Sequence, residues 1–323
     1  MLGAADRSYT TAGYREEQQF DAWRAIVADA FAPVELDSGV ADAESGFAAD
    51  CHVRGVGDIG VAWLRSGSQQ VRRTAPQISS APCGVYFLNF VLDSPTTVHQ
   101  DGRTAHLRPG DFAVVDGDRP FELDYAGDFE QISLTIPKAV LDPSLVDARC
   151  ATALAVPGDR GIGAIAAAAF AGLALHAAPI RGRAAGSVAV HVVGLLAAAL
   201  EASMPVPADR RTALFRAVLE DIESHYGDTE LTLRHVARRV AISPSYLTKL
   251  FAENRTSFGR WLLSRRLDHA WIALAQAPWD GSIADVAMQC GFHDAGYFAR
   301  AFRLRFGITP SERRRSSAPA ASG

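Results

Sequence analysis

The 323-residue sequence is poor in cysteine, and none of its four (Cys51, Cys83, Cys150 and Cys290) stands in a C-x-x-C pair or at zinc-ligand spacing. This excludes zinc fingers and a disulfide framework, and scattered single cysteines suit a reducing cytosol. An apolar core is missing from Met1 to Tyr14, so no secretory signal is expected and the sequence predicts a cytoplasmic protein. Long, strongly apolar runs are missing too. Ile162–Ile180 and Ser187–Ala202 come nearest, but alanine dominates both and His176 and His191 interrupt them. A spanning helix wants about 20 strongly apolar residues. With Pro179 to Arg183 between them, the two runs predict a helical hairpin packed within the protein or against a second subunit, with no membrane partner. Lysine is confined to Lys138 and Lys249. Such an arginine bias follows base composition and carries no functional argument.

Hydrophobic residues at 48% and charged residues at 21% are globular proportions, not disordered ones. The formal net charge of -4 argues against a nucleic-acid binder until it is divided along the chain. Residues 210–315 hold 17 Arg and Lys against 11 Asp and Glu, and residues 1–209 hold 15 against 25, giving about +6 and about -10. A basic C-terminal third beside an acidic remainder suits an attached nucleic-acid module, or a solvated surface that happens to gather arginine.

Residues 15–31 predict an amphipathic helix, with Phe20, Trp23, Val27 and Phe31 at helical spacing. From about residue 50 the pattern changes to short strands: Val61–Leu64, Val85–Leu92, Phe112–Val115 and Phe129–Ile136. Turn signals separate them, among them Asp101-Gly102, a hairpin turn. The spacing suggests a β-sandwich or small barrel. Residues 158–203 form the alanine-rich pair. Two prolines within Met204–Ala208 place a linker at 204–209. Residues 210–315 read as helical, and 316–323 as a disordered tail.

The most specific signal is an internal repeat. Ala237, Ile242, Leu247, Leu250 and Phe251 form one frame, and Ala287, Phe292, Phe298, Ala301 and Phe302 a second. The second starts 50 residues later and carries one extra residue in its turn. A small residue where two helices cross lets them approach. Gly291 suits a left-handed turn, and Ala241 is its weaker counterpart. Ser243-Pro244 and Asp294 suit helix starts. Between the units, Ser257–Ala277 predicts one long helix, ended by Pro278, with Arg266 in its structural pattern. If it spaces the second helices by about 34 Å, both enter successive major grooves on one face of DNA.

Thr232–Phe251, Ser282–Ala287, Gly291-Phe292, Tyr297–Phe302, Phe306-Gly307 and Thr309-Pro-Ser311 resemble the DNA-binding domain of AraC/XylS-type transcription regulators. The resemblance implies base contacts on the exposed side of each second helix: Ser245, Thr248 and Lys249 in the first, His293, Ala295, Gly296 and Arg300 in the second. Arg300 is the strongest candidate, because arginine can bond guanine O6 and N7 together. Arg255, Arg303 and Arg305 are expected at phosphates, which carry no sequence information. Residues 107–137, with Pro109-Gly-Asp111 and Arg119-Pro-Phe121, resemble the effector-binding domain of one AraC/XylS branch. That resemblance, over roughly residues 20–200, implies a cupin-like barrel and a small effector of aromatic or amide type.

The expected fold class is therefore α+β. An N-terminal cupin-like β-barrel with a helical hairpin (1–203) precedes an all-α domain of two helix-turn-helix units joined by a long helix (210–315). In the barrel, Trp63, Tyr86, Phe90, Phe112, Phe121 and Tyr125 are candidate pocket residues, although the same aromatics suit a plain core. Arg65 or Arg72 is the candidate partner of an effector carboxylate. His99 and His106 lack the His-x-His pattern of metal-dependent cupins, so no metal or other cofactor is expected. No Ser-His-Asp or Cys-His set assembles, so the protein is not expected to be an enzyme. The expected partners are double-stranded DNA, a small-molecule effector, RNA polymerase and a second copy docked through the 160–203 helices. Two rival readings are a cupin-type metalloenzyme with a DNA-binding tail and a dimeric DNA-binding regulator without a ligand.

Overall fold

The short strands after position 50 form, with two more before it, a pair of antiparallel sheets in the computed structural model. The structure describes residues 6–38, 46–145, 148–204, 210–254, 256–275 and 281–316. Two units separate: residues 1–141 with 149–204, and residues 142–148 with 205–323.

The first unit contains β1 (Arg7–Thr10), α1 (Glu16–Ala30), β2 (Glu35–Asp37), β3 (Asp50–Val56), β4 (Ile59–Ser66), β5 (Gln69–Arg73) and α2 (Ala75–Ser80). It continues with β6 (Val85–Val91), β7 (Thr96–Gln100), β8 (Arg103–Leu107), β9 (Phe112–Asp116), β10 (Phe121–Tyr125) and β11 (Phe129–Pro137). Three helices close it: α3 (Lys138–Leu141), α4 (Gly161–His176) and α5 (Gly182–Ser203). One sheet has the order β1-β3-β4-β11-β6-β9 and the other β2-β5-β10-β7-β8. They face each other as a cupin-like barrel. The enclosed core takes Leu64, Phe87, Val91 and Phe129 from the first sheet, Val98, Leu107 and Leu123 from the second, and Trp23 from α1.

The four expected strands lie within or across β4, β6, β9 and β11, which are almost wholly buried. Strands such as β5 (QQVRR) and β7 (TTVHQ) bury every second residue and turn polar side chains outward, which hides them from a reading of apolar runs. Asp101 and Gly102 have φ of 55° and 72° in the β7–β8 turn, the paired positive angles of a type I′ hairpin.

Strand period decides what lies inside. His52, Trp63, Ile132, Phe90 and Phe112 pair in register across five strands, so their side chains share one face. That face is the outer one: Phe170 of α4 stands 5.1 Å from Phe112 and 6.0 Å from Phe90, ring centre to ring centre. The hairpin of α4 and α5 thus covers the back of the larger sheet. Ala184–Ser203 is long and apolar enough to cross a membrane, yet Val192, Val193, Leu196 and Leu200 are buried in the unit.

The second unit contains α6 (Arg210–His225), α7 (Leu233–Arg239), α8 (Pro244–Glu253), α9 (Phe258–Ala275), α10 (Ile283–Gln289), α11 (Ala295–Phe306) and α12 (Pro310–Ser316). Two apolar cores form. One gathers Val218, Ile222, Val236, Ala237, Leu247 and Phe251. The other gathers Leu267, Ala270, Val286, Ala287, Phe298 and Phe302. The connector α9 contributes to both, through Leu262 to the first and Leu267, Ala270 and Leu274 to the second. Most of the expected linker, residues 205–209, and most of the expected disordered tail, residues 317–323, lie outside the described residues, as do Gln276 to Pro278.

Candidate nucleic-acid interface

Each helix of the two helix-turn-helix units begins on a side-chain cap. Thr232, Ser243, Ser282 and Asp294 accept the backbone N–H of His235, Tyr246, Asp285 and Tyr297, at 3.3, 3.1, 3.2 and 2.5 Å. Such caps satisfy amides that the first turn leaves open. The turns match as well: Ile242 N–H donates to Ala237 O and Phe292 N–H to Ala287 O, both at 2.9 Å. Ala237 and Ala287 are buried where the helices cross.

Gly291 has φ of 82°, as its type suggests, and Ala241 adopts φ of 54° at the matching place. A left-handed alanine costs about 1 kcal/mol relative to glycine. Ala241→Gly should therefore raise the stability of the second unit by about 0.5–1 kcal/mol, part of the gain being offset by unfolded-chain entropy. An unchanged or lowered denaturant midpoint would contradict this reading of the turn.

The second helices, α8 and α11, carry the residues expected at DNA. Ser245, Thr248 and Lys249 are exposed on α8, and Ala295, Gly296, Arg300 and Arg303 on α11. The Thr248 hydroxyl donates to Pro244 O at 3.0 Å. Arg255 lies outside the described residues.

Two expected contacts are otherwise engaged. His293 is exposed, but its Nε2 lies 3.1 Å from Thr229 O and 3.3 Å from a Glu230 carboxylate oxygen. It ties the second turn to the loop ahead of α7. Arg305 is drawn back to the connector, where its guanidinium meets the buried Asp268 carboxylate at 2.5 Å. Arg305 is exposed and is held at Asp268 because a buried carboxylate without a counter-ion is costly. Burial raises the Asp268 carboxyl to about 7 in spite of Arg305 and Arg265 nearby.

A brace that the sequence does not reveal fixes the two helix-turn-helix motifs to each other within the C-terminal unit. Arg266 of α9 donates from Nε to Tyr226 O at 2.8 Å and from Nη2 to Asp228 O at 2.7 Å, in the segment between α6 and α7. A Cβ on Gly291 would lie 2.5 Å from Tyr226 O and 2.6 Å from Arg266 Nε. The turn of the second helix-turn-helix thus rests on the brace that holds the first. Beside it, Glu223 accepts from Arg265 at 2.8 Å and lies 2.6 Å from His269 Nε2, while His269 stacks on Tyr226. Burial alone would raise the Glu223 carboxyl, but His269 and Arg265 hold it below its ordinary range.

In the first unit, Phe121 and Tyr125 line an interior cavity. Trp63, Arg65, Tyr86, Phe90 and Phe112 do not, which corrects their expected place. Phe90 and Phe112 pack on Phe170. Trp63 stacks on His52 and donates to Glu130 at 2.5 Å, while Arg65 is exposed beside Asp50. Tyr86 lies under the Lys138 ammonium. Arg72 is exposed, 3.9 Å from Asp37. His99 bonds with Thr104 and Asp124, and His106 with Thr97. Among the described residues, no three His, Cys, Asp or Glu side chains gather where a metal could be held.

Comparison with known proteins agrees with this division. Residues 23–201 match the AraC-binding-like domain family, and residues 236–316 match a helix-turn-helix domain family. The transcriptional activator NphR of a Rhodococcus species is 32% identical over 277 residues, which cover 84% of this chain and 82% of that protein. The HTH-type regulator YijO of Escherichia coli (strain K12) is 39% identical over 109 residues, 33% of this chain and 38% of that one. The crystal structure of the AraC-like transcriptional activator CuxR has the same fold, with a TM-score of 0.57 and 20% identity over 88% of this chain and all of that one. The chain belongs to the AraC family of transcription regulators, with an effector-binding domain followed by a helix-turn-helix DNA-binding domain.

Proposed function

We propose that the protein is a cytoplasmic, homodimeric transcription activator, without catalytic activity of its own, that reads two successive major-groove segments and responds to an effector held inside its barrel. The observation that carries the DNA reading is a pair of capped second helices with exposed faces, Ser245, Thr248 and Lys249 on one and Gly296 and Arg300 on the other, braced through α9. The activator reading is supported by the name given to its 32% identical Rhodococcus relative. Activation would bring RNA polymerase to the bound complex as a further partner.

Selection of bound DNA from a random pool tests the DNA reading. The expected product is a bipartite site whose affinity falls steeply with salt, because phosphate contacts release counterions. Arg300→Ala should cost about 1–3 kcal/mol against the selected site and relax the preference at one base pair. Uniform weakening across all sequences would instead assign Arg300 to a phosphate.

A second copy is expected on the α4–α5 hairpin. Ile165 and Leu175 of α4 are 57% and 73% exposed, and the outer side of α5 carries the small residues Ser187, Gly194 and Ala198. Such a surface permits close helix approach. Leu175→Glu should shift the full-length protein from dimer to monomer in sedimentation. A dimer of unchanged affinity would move the interface elsewhere.

We assign the effector to the barrel cavity lined by Phe121 and Tyr125, a reading supported by its aromatic walls and its position between the two sheets. Its chemistry is taken up below.

A further inference from the structure

The interior cavity of the barrel has a volume of about 60 Å³. Most of its lining is apolar, but its floor is not. Asn89 on β6 and Gln131 and Ser133 on β11 line it while being only 2%, 4% and 3% exposed. Asn89 and Ser133 are register partners on neighbouring strands. Buried polar groups in a barrel core are ordinarily fully hydrogen-bonded.

These are not. The Asn89 amide reaches Phe87 O at 3.5 Å, and the Gln131 amide reaches Asn89 Oδ1 at 3.4 Å. Both contacts are longer than a normal bond. The two amide groups carry four N–H donors between them, so half are engaged only at the limit of bonding and half not at all. Gln131 Oε1 is better served, accepting from Tyr125 Oη at 3.0 Å. The Ser133 hydroxyl takes no part in the bonds that link Asn89, Gln131 and Tyr125. Asn89 and Gln131 therefore present spare N–H donors, and Ser133 a hydroxyl, to a half-open cavity.

The lining also lacks charge. No Asp, Glu, Lys, Arg or His is among its residues. Arg65 and Arg72 stand on outer faces beside Asp50 and Asp37. The buried Arg73 is turned to the carbonyls of Gly117, Pro33 and Ala81. A carboxylate entering the cavity would lose its hydration and find no counter-ion, whereas a neutral amide would lose far less and bond to the floor.

We propose that the effector is electrically neutral and carries an amide, carbonyl or hydroxyl head group that bonds to Asn89, Gln131 and Ser133. This rests on reading the cavity as the effector site. The present volume holds such a head group, since a water needs roughly 10–15 Å³ on the same measure. It is less than half of the roughly 150 Å³ cavity known to take up benzene. A larger effector must displace a wall. The strands are fixed by their ladders, but α1 is a wall without one, and Trp23 on it is tied to Gln69 by a single side-chain bond of 2.9 Å. Effector binding thus moves α1 outward and breaks or lengthens that bond.

The test uses the full chain and two matched pairs of probes, benzamide with benzoate and phenylacetamide with phenylacetate, in thermal-shift and calorimetric titrations at pH 7. The amide of at least one pair should bind at least about 100-fold more tightly than its acid. Acids binding as tightly as amides would overturn the neutral class. If their binding is still lost on filling the cavity by Ser133→Leu, the effector site itself stands. Probe binding unmoved by Ser133→Leu would overturn the site as well. A second arm needs no ligand. Asn89→Leu and Ser133→Ala remove groups that lack good protein partners, so the ligand-free protein should unfold at the same or a higher temperature, while amide affinity falls at least about tenfold. A lower unfolding temperature in both variants would assign these residues to the fold and overturn the proposal.

Discussion

Gly291→Val is expected to unfold the second helix-turn-helix unit or leave it displaced. The backbone there has φ of 82°, a conformation that a β-branched residue rarely adopts. Space is a separate obstacle, because the new Cβ would sit 2.5 Å from Tyr226 O and 2.6 and 2.9 Å from Arg266 Nε and Cζ. Neither neighbour can yield cheaply: Tyr226 O is backbone, and Arg266 is bonded to it at 2.8 Å. Strain and clash together should cost about 3 kcal/mol or more. Affinity for a selected operator should fall at least about 100-fold, equivalent to about 2.8 kcal/mol. Gly259→Ala is the control, since a Cβ there meets nothing within 4 Å. It should leave both stability and binding near their starting values. Denaturant unfolding and gel-shift titration read the two effects. A Gly291→Val protein that binds normally would mean the turn does not rest on the Arg266 brace.

Arg73→Leu is expected to be the most damaging single change in the effector domain. The side chain is 1% exposed. Nε donates to Gly117 O at 2.7 Å, Nη1 to Pro33 O at 2.6 Å and Nη2 to Ala81 O at 2.6 Å. One guanidinium thus joins the segment after α1, the end of α2 and the turn between β9 and β10. Leucine fills part of the volume and satisfies none of the three carbonyls. An unsatisfied buried polar group costs about 1–3 kcal/mol, so the loss should reach about 3–5 kcal/mol even after water enters. Arg73→Lys should recover only part of it, because an ammonium cannot span three separated acceptors. Denaturant unfolding of the full chain measures both variants. A loss below about 1 kcal/mol for the leucine variant would show that the carbonyls find other donors.

Both side chains show where sequence reading ends. The repeated frame of Ala237 and Ala287 was legible because a helix crossing accepts only small residues, and the caps Ser243 and Asp294 because amide satisfaction selects their types. The Asp101-Gly102 hairpin was legible because its two positive φ angles restrict the choice of residue. The brace was not: Arg266 is separated by 40 and 38 residues from its acceptors Tyr226 and Asp228, and those acceptors are backbone atoms that any residue supplies. The barrel floor was hidden for a related reason. A face-in or face-out assignment depends on strand register, and a shift of one residue exchanges the two sets. Phe90 and Phe112 therefore looked like pocket residues from their type, while Asn89 between apolar neighbours looked unremarkable. Arg305 shows the same limit in the DNA-binding unit, since its partner Asp268 lies 37 positions away on α9.

In the proposed mode of binding, α9 fixes two readers at one separation along the duplex. Inserting about five base pairs, half a helical turn, between the two segments of a selected operator tests this most directly. Affinity is expected to collapse toward the non-specific level, with recovery at best partial when a full turn is inserted. Undiminished binding to the half-turn operator would mean that only one of α8 and α11 reads bases, or that the units move independently, and would contradict the account.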